Sequence, residues 1–171
     1  MSKSSKAATQ RSDHETRVTD DHHESLRLWL RMLSCTNLVE SHIRSQLRLR
    51  FQTTLPRFDL MAQLERHPEG LKMGELSKRM MVTGGNVTGL TDELEKDGMV
   101  QRDAEPGDRR SVRVALTPKG RKVFERMASE HEGWVVELFG GVAEADRHQL
   151  YDLLGRLRVQ LSIRQDNPET P

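Results

Sequence analysis

The chain has 171 residues, a formal net charge of +1 and a single cysteine, Cys35. This length suits one domain or one compact two-lobed unit with its own core. No apolar run is long enough for a transmembrane helix or a signal-peptide core, and one cysteine excludes an intramolecular disulfide framework. We therefore expect a cytoplasmic protein without a membrane partner. Any affinity for nucleic acid has to come from local clusters of charge.

The first half of the chain has the apolar spacing of helices. Residues 1–20 are almost entirely polar and predict a disordered tail, as do residues 166–171. Apolar residues recur every three or four positions over 21–52, which predicts one long helix. The sequence Thr54-Leu55-Pro56 breaks this helix, and a second helix is expected to end near residues 67–70.

Two shorter helices are predicted next. The third has its apolar residues at Leu71, Met73, Leu76 and Met80. Thr83 can cap the fourth, which ends at Asp97-Gly98. Its expected inward face consists of Val87, Leu90 and Leu94.

A β-hairpin follows, with strands over 99–105 and 108–116 joined by a type II turn at Pro106-Gly107. On the return strand Val112, Val114 and Leu116 are expected to face the core, and Ser111, Arg113 and Ala115 to face away. Seven positive residues against three acidic ones lie between Arg102 and Lys122. A charged run of this kind is often only a solvated face, but its position on a hairpin tip favours contact with DNA.

Two helices complete the predicted fold. Thr117 followed by Pro118 is an N-cap with proline at the first helical position. One apolar stripe comprises Phe124, Met127, His131, Trp134 and Leu138, and a second one after Gly140-Gly141 comprises Leu150, Leu154, Leu157 and Leu161. The expected fold is mainly α with a small β-hairpin wing, in which a winged helix-turn-helix lobe is joined to a helical dimerisation region.

The fourth predicted helix has the composition of a helix that reads the major groove. Such a helix needs short hydrogen-bonding side chains and little bulk on its exposed N-terminal turns. The polar candidates are Thr83, Asn86, Thr88 and Thr91, and the glycines are Gly84, Gly85 and Gly89. Asn86 and Thr88 are the base-edge candidates. The alternative for Gly84 and Gly85 is that they only make the turn.

Basic side chains around this helix are candidates for phosphate contacts. Lys78, Arg79 and Arg102 can reach the DNA backbone or remain solvated. On the hairpin tip Arg110 is the candidate for a minor-groove or phosphate contact, with Asp108 able to orient its guanidinium and Arg109 as a further contact.

With these motifs the chain resembles transcription regulators of the MarR family over roughly residues 26–161. The segment Asp108-Arg109-Arg110-Ser111, followed by Val114, Leu116 and Thr117-Pro118-Lys119-Gly120, is similar to the family's wing signature. The resemblance implies an obligate homodimer that reads a palindromic operator. It divides the chain into a dimerisation and ligand helix (21–52), a DNA-binding lobe (53–117) and C-terminal dimerisation helices (118–165).

Within that family, residues 54–59 and 82–90 look most like the branch that responds to hydroxycinnamoyl-CoA thioesters and related aromatic acids. The resemblance implies a repressor that needs no cofactor and is released by a small aromatic effector. The family's crevice between the dimerisation helices and the lobe would here be lined by Trp29, Leu33, Asn37, His42 and Met61. Cations for an anionic group are available at Arg27, Arg31, Arg44 and Arg48, although core packing or a solvated face also explains each residue.

Three other interpretations stay open: a metal-sensing regulator, a peroxide sensor and a helical interaction protein. The chain has no strong catalytic motif, so an enzyme is not expected. A metal-sensing regulator would use residues 130–132, Asp146 and His148, or the histidines at 14, 22 and 23, although His131 also fits an apolar stripe. A peroxide sensor would use Cys35, for which a small buried helix residue is the alternative. The last reading is a helical interaction protein that does not bind DNA.

Overall fold

The computed structural model describes residues 23–80, 84–105 and 108–166, which form six helices and a three-stranded sheet. The helices are α1 (Glu24–Phe51), α2 (Leu55–Glu65), α3 (Met73–Met80), α4 (Gly84–Lys96), α5 (Pro118–Phe139) and α6 (Glu144–Asp166). The strands are β1 (Leu71–Lys72), β2 (Val100–Glu105) and β3 (Asp108–Leu116). The expected mainly helical fold with a hairpin wing is confirmed. The N-terminal tail, Thr83 and the Pro106-Gly107 turn lie outside the described residues.

The sheet contains a strand that the sequence did not predict. Its antiparallel order is β1-β3-β2, with Leu71 paired to Val114. The prediction that Leu71 begins the third helix is therefore wrong, and α3 begins at Met73. Gly70 explains the change, because its φ of 82° turns the chain toward β3 and a Cβ there would lie 2.7 Å from the carbonyl oxygen of Val114.

The hairpin is regular near the core and irregular toward its tip. Residues pair in steady register from Val100 with Leu116 to Ala104 with Val112, and then Glu105 pairs with Asp108. Residues 109–111 of β3 therefore lie between two successive partners on β2, which is a bulge in the ladder. Such a bulge re-aims the side chains that it carries.

One core joins the winged lobe to α1 and α5. Its members are buried side chains from α1 to α5 and from all three strands, among them Leu47, Leu60, Leu76, Val87, Leu94, Val114, Phe124 and Trp134. From α1 only Ile43 and Leu47, both in its C-terminal half, are buried. In the part of α6 whose side chains are described, no residue is buried. No helix of the described chain is long and apolar enough to cross a membrane.

The junction between the hairpin and α5 is fixed by a cap and a glycine. The Thr117 Oγ1 accepts a hydrogen bond from the Gly120 N–H at 2.9 Å and donates one to the Gly98 carbonyl at 2.8 Å, which confirms the predicted N-cap. A Cβ on Gly120 would lie only 1.9 Å from the carbonyl oxygen of Met99. The start of α5 can therefore touch the start of β2 only with glycine at position 120.

Candidate nucleic-acid interface and effector crevice

The exposed face of α4 carries small and polar residues, as the sequence predicted. Gly85, Asn86, Thr88 and Gly89 are exposed, whereas Val87 is fully buried on the opposite face. Gly84 and Gly85 belong to the helix, so a role confined to the preceding turn is wrong. A Cβ on Gly85 or Gly89 would meet nothing within 4 Å. Internal packing thus requires neither glycine, and the face is open to an external partner.

Thr91 is not part of this face. Its side chain is fully buried, and its Oγ1 donates a 2.7 Å hydrogen bond to the Val87 carbonyl. The same oxygen lies 3.9 Å from the Met73 Sδ. The prediction that Thr91 contacts DNA is therefore wrong, because the helical phase turns it toward α3.

Arg102 holds α4 against β2. Its guanidinium lies 2.8 Å from the Glu95 carboxylate and 2.5 Å from that of Asp92. Two carboxylates therefore pair with the guanidinium that the sequence offered to DNA phosphates, which gives Arg102 a structural role, and its phosphate contact stays a prediction.

A second arginine, Arg57, forms ion pairs on the other side of α4, and the sequence analysis did not identify it as a functional residue. Arg57 on α2 is largely buried and pairs with the Asp97 carboxylate, and its Nη1 lies 3.6 Å from the Glu93 carboxylate. The only hint of these ion pairs in the sequence is the acidic C-terminal half of α4, where carboxylates lie on both sides of the helix. Nothing in that spacing identified their partners.

The remaining predicted DNA contacts are Lys78 on α3 and three residues at the tip of the hairpin. Lys78 is exposed on the last turn of α3. The backbone of Asp108, Arg109 and Arg110 opens β3 at the distal end of the hairpin, and their side chains lie outside the described part of the structure. Arg113, further along the same strand, donates to the Gly70 carbonyl at 3.1 Å and so joins the wing to the turn before β1.

A crevice of about 410 Å³ opens between α2, α3 and α5. It is lined by Pro56, Phe58, Asp59, Ala62, Gln63, Arg66, Arg79, Met80 and His131. The His131 ring stacks on Phe58 with 5.0 Å between centroids. Aromatic and apolar walls with two arginines at the edge suit a planar anionic ligand.

The ionisable groups of the crevice have shifted protonation equilibria. Burial raises the pKa of the Asp59 carboxyl; nearby Glu40 raises it further, and Arg44 opposes the rise. Burial also lowers the pKa of the His131 imidazole. Both shifts favour the neutral form, so Asp59 can donate a hydrogen bond more readily than an ordinary aspartate and His131 offers a neutral stacking surface.

The crevice does not contain the predicted ligand residues. Met61 is 1% exposed and belongs to the core, so its assignment to the ligand site is wrong. The remaining candidates lie on α1, where Arg27, Trp29, Arg31, Leu33, Asn37 and Arg44 are exposed and His42 is half-buried. Arg44 lies 2.6 Å from Glu40. A helical period identified α1 as amphipathic but could not indicate which residues of α2, α3 and α5 enclose a cavity.

The structure also locates most of the residues on which a peroxide sensor or a metal sensor would depend. Cys35 is exposed in the single chain, so the expectation of a buried residue is wrong. His131 packs among aromatic rings, and Glu130 lies 2.7 Å from Arg50. Within the described ranges no three metal-ligating side chains come together. The histidines at 14 and 22 lie outside those ranges.

This geometry defines a winged helix-turn-helix protein. The family model described as MarR family matches residues 53–112. A MarR family transcriptional regulator from Silicibacter pomeroyi is 35% identical, with 84% of this chain and 99% of that chain covered and a TM-score of 0.71. The chain belongs to the MarR family of transcriptional regulators.

Two further comparisons are more limited. The uncharacterized HTH-type transcriptional regulator YkoM of Bacillus subtilis is 32% identical over 52% of this chain, and the match spans 57% of YkoM. CouR from Rhodococcus jostii RHA1, solved bound to p-coumaroyl-CoA, is 21% identical with a TM-score of 0.65; the alignment covers 76% of this chain and 90% of CouR. That second likeness shows the shared fold alone.

Proposed function

We propose that the protein is a homodimeric repressor that binds a palindromic operator through α4 and the wing, and releases it when a small aromatic ligand fills the crevice. The observation that carries this proposal is the exposed face of α4. Its short polar side chains and unhindered glycines let the helix backbone approach a groove floor, while Val87 and Leu94 anchor the opposite face in the core. Asn86 reads base edges and Thr88 contacts the backbone or a thymine methyl.

The two half-sites of the operator require two lobes. Apolar side chains are exposed along the N-terminal half of α1 and along α6, including Trp29 at 55% and Leu154 at 41%. A second copy of the chain that packs against these helices would bury them. The recognition helices of such a dimer have to lie about 34 Å apart to enter successive major grooves.

The crevice fits a planar anion better than an apolar solute. The ring of an aromatic acid can stack between Phe58 and Met80, with its carboxylate or a thioester phosphate against Arg66 and Arg79. A ring hydroxyl can pair with the carboxyl group of Asp59 on the crevice wall. Free aromatic acids and their CoA thioesters share this chemistry, and the experiment below separates them.

The experiment selects operator DNA from random duplexes with the purified protein and then challenges the complex with four ligand classes. p-Coumarate, p-coumaroyl-CoA, zinc and hydrogen peroxide are added separately, and retained DNA is measured by fluorescence anisotropy. We expect a palindromic consensus and release by an aromatic acid or its thioester. Release by zinc or peroxide alone contradicts the crevice as the sensor, and the absence of any enriched sequence contradicts operator binding.

Substitution of the two proposed DNA contacts gives different signatures. Asn86→Ala should relax the preference at one base position in each half-site, at a cost of about 1–3 kcal/mol on the preferred sequence. Arg110→Ala should instead weaken binding to all sequences and reduce the slope of log affinity against log salt by about one. Equal losses on every sequence for Asn86→Ala contradict base readout.

A further inference from the structure

The crevice and the DNA-reading helix are joined through a single turn of α2. Pro56, Phe58 and Asp59 line the crevice. Arg57 lies between them in sequence, and its side chain leaves the crevice to reach the carboxylates of Glu93 on α4 and of Asp97 directly after it. A displacement of this turn therefore acts on the crevice wall and on α4 together.

The charges on α4 make this contact important. The C-terminal half of the helix carries three carboxylates, at Asp92, Glu93 and Glu95, and Asp97 follows directly after its last residue. Arg102 on β2 pairs with Asp92 and Glu95, and Arg57 pairs with the other two. The two arginines thus hold α4 from opposite sides and offset acidic charge that would repel DNA phosphates.

The Arg57 guanidinium is held from the α4 side. Its Nε is buried and has no hydrogen-bond partner among the described residues, while its two terminal nitrogens face the carboxylates. A buried donor without an acceptor is unfavourable. The position of the guanidinium is therefore set by the contacts of its terminal nitrogens with Glu93 and Asp97.

We propose that Arg57 is the positioning residue that transmits occupancy of the crevice to α4. This inference rests on the proposed function, since it takes the crevice to be the effector site. A filled crevice displaces Phe58 and Asp59, the backbone between them carries Arg57 along, and the ion pairs move the C-terminal half of α4. Arg102 remains on β2, so the helix rotates about that side and does not translate as a whole.

The experiment replaces the effector by a side chain of the protein itself. Ala62 lines the crevice, so Ala62→Leu fills part of it without an external ligand. Hydrogen–deuterium exchange of the α4 peptides is measured without DNA in the wild type, Ala62→Leu, Arg57→Gln and the double variant. We expect Ala62→Leu to change α4 exchange at least threefold in the wild-type background and to have no effect in the Arg57→Gln background.

Arg121→Gln is the matched control. Arg121 on α5 lies 2.9 Å from Glu65 on α2, with comparable exposure of both side chains, and its ion pair does not involve α4. The response to Ala62→Leu should persist in this background. Arg57→Lys should restore it in part, because a lysine reaches one carboxylate but not two.

Two results overturn the inference: an equal response of α4 in the wild-type and Arg57→Gln backgrounds, or no response of α4 in the wild type. If Arg57→Gln does not fold, Asp97→Asn removes the partner and is tested in its place; if Ala62→Leu does not fold, Ala62→Val fills the crevice. Because exchange is measured without DNA, failure of operator selection and failure of this coupling are read from separate experiments.

Discussion

At the scale of single residues, Gly120 shows how one atom fixes the junction of two elements. Gly120→Ala should destabilise the protein by about 3 kcal/mol, since the new Cβ overlaps the Met99 carbonyl and one backbone segment has to move. The measurement is the urea midpoint at a fixed protein concentration. Gly133→Ala, at an open position of the same helix, should instead stabilise by up to about 1 kcal/mol. Equal effects of the two substitutions contradict the steric explanation.

Residue roles were predictable where they depend on local geometry. The Thr117 cap and the buried Val87 follow from sequence neighbours and helical phase. Thr91 shows the limit, because a polar residue near the edge of an apolar stripe can satisfy its hydroxyl on its own helix and turn inward. Arg57 binds Asp97 from 40 positions away in the sequence. The partners of Arg102 are only 7 and 10 positions away, but they lie on a different element, so no helical or strand period could reveal the pairing.

At the scale of elements, α4 combines low helix propensity with an open face. Gly89→Ala should raise stability by up to about 1 kcal/mol because alanine is the better helix former. The same substitution should weaken operator binding at least tenfold, since its Cβ stands between the helix and the groove. Urea unfolding and fluorescence anisotropy on the same samples measure the expected gain in stability and the expected loss of operator affinity.

Gly74→Ala on α3 is the control for Gly89→Ala, because a Cβ there also meets nothing within 4 Å. It should change stability without a comparable loss of operator affinity. If Gly89→Ala binds the operator as tightly as the wild type, the open face of α4 is not the surface that approaches DNA.

The long elements were predictable because each has several turns of apolar periodicity. The bounds of α1, α2, α4 and α5 agree with the predicted helices to within a few residues. β1 escaped prediction because two residues carry no period, and its existence depends on an unpaired edge of β3 that only the folded hairpin supplies. The crevice could not be predicted either, because it is enclosed by three helices that are brought together only in the folded chain.

At the scale of the whole molecule, the exposed apolar stripes decide how many copies act together. Leu150, Leu154 and Leu161 are each more than two-fifths exposed along α6 and recur at helical spacing. A charge placed on this stripe would have to be buried in the proposed dimer. Leu154→Lys should therefore raise the dimer dissociation constant at least tenfold, as measured by sedimentation velocity over a concentration series.

Asp152→Lys places a lysine at an exposed polar position of α6, about half a helical turn from the leucine stripe, and should leave the dimer intact. The Leu154→Lys protein should also lose operator binding in step with dimer dissociation, because one lobe contacts only half of a palindrome. Raising its concentration until dimers reform should restore binding. A monomer that binds the full operator as tightly as the wild type contradicts the two-lobe arrangement, even if the exposed face of α4 is the surface that reads DNA.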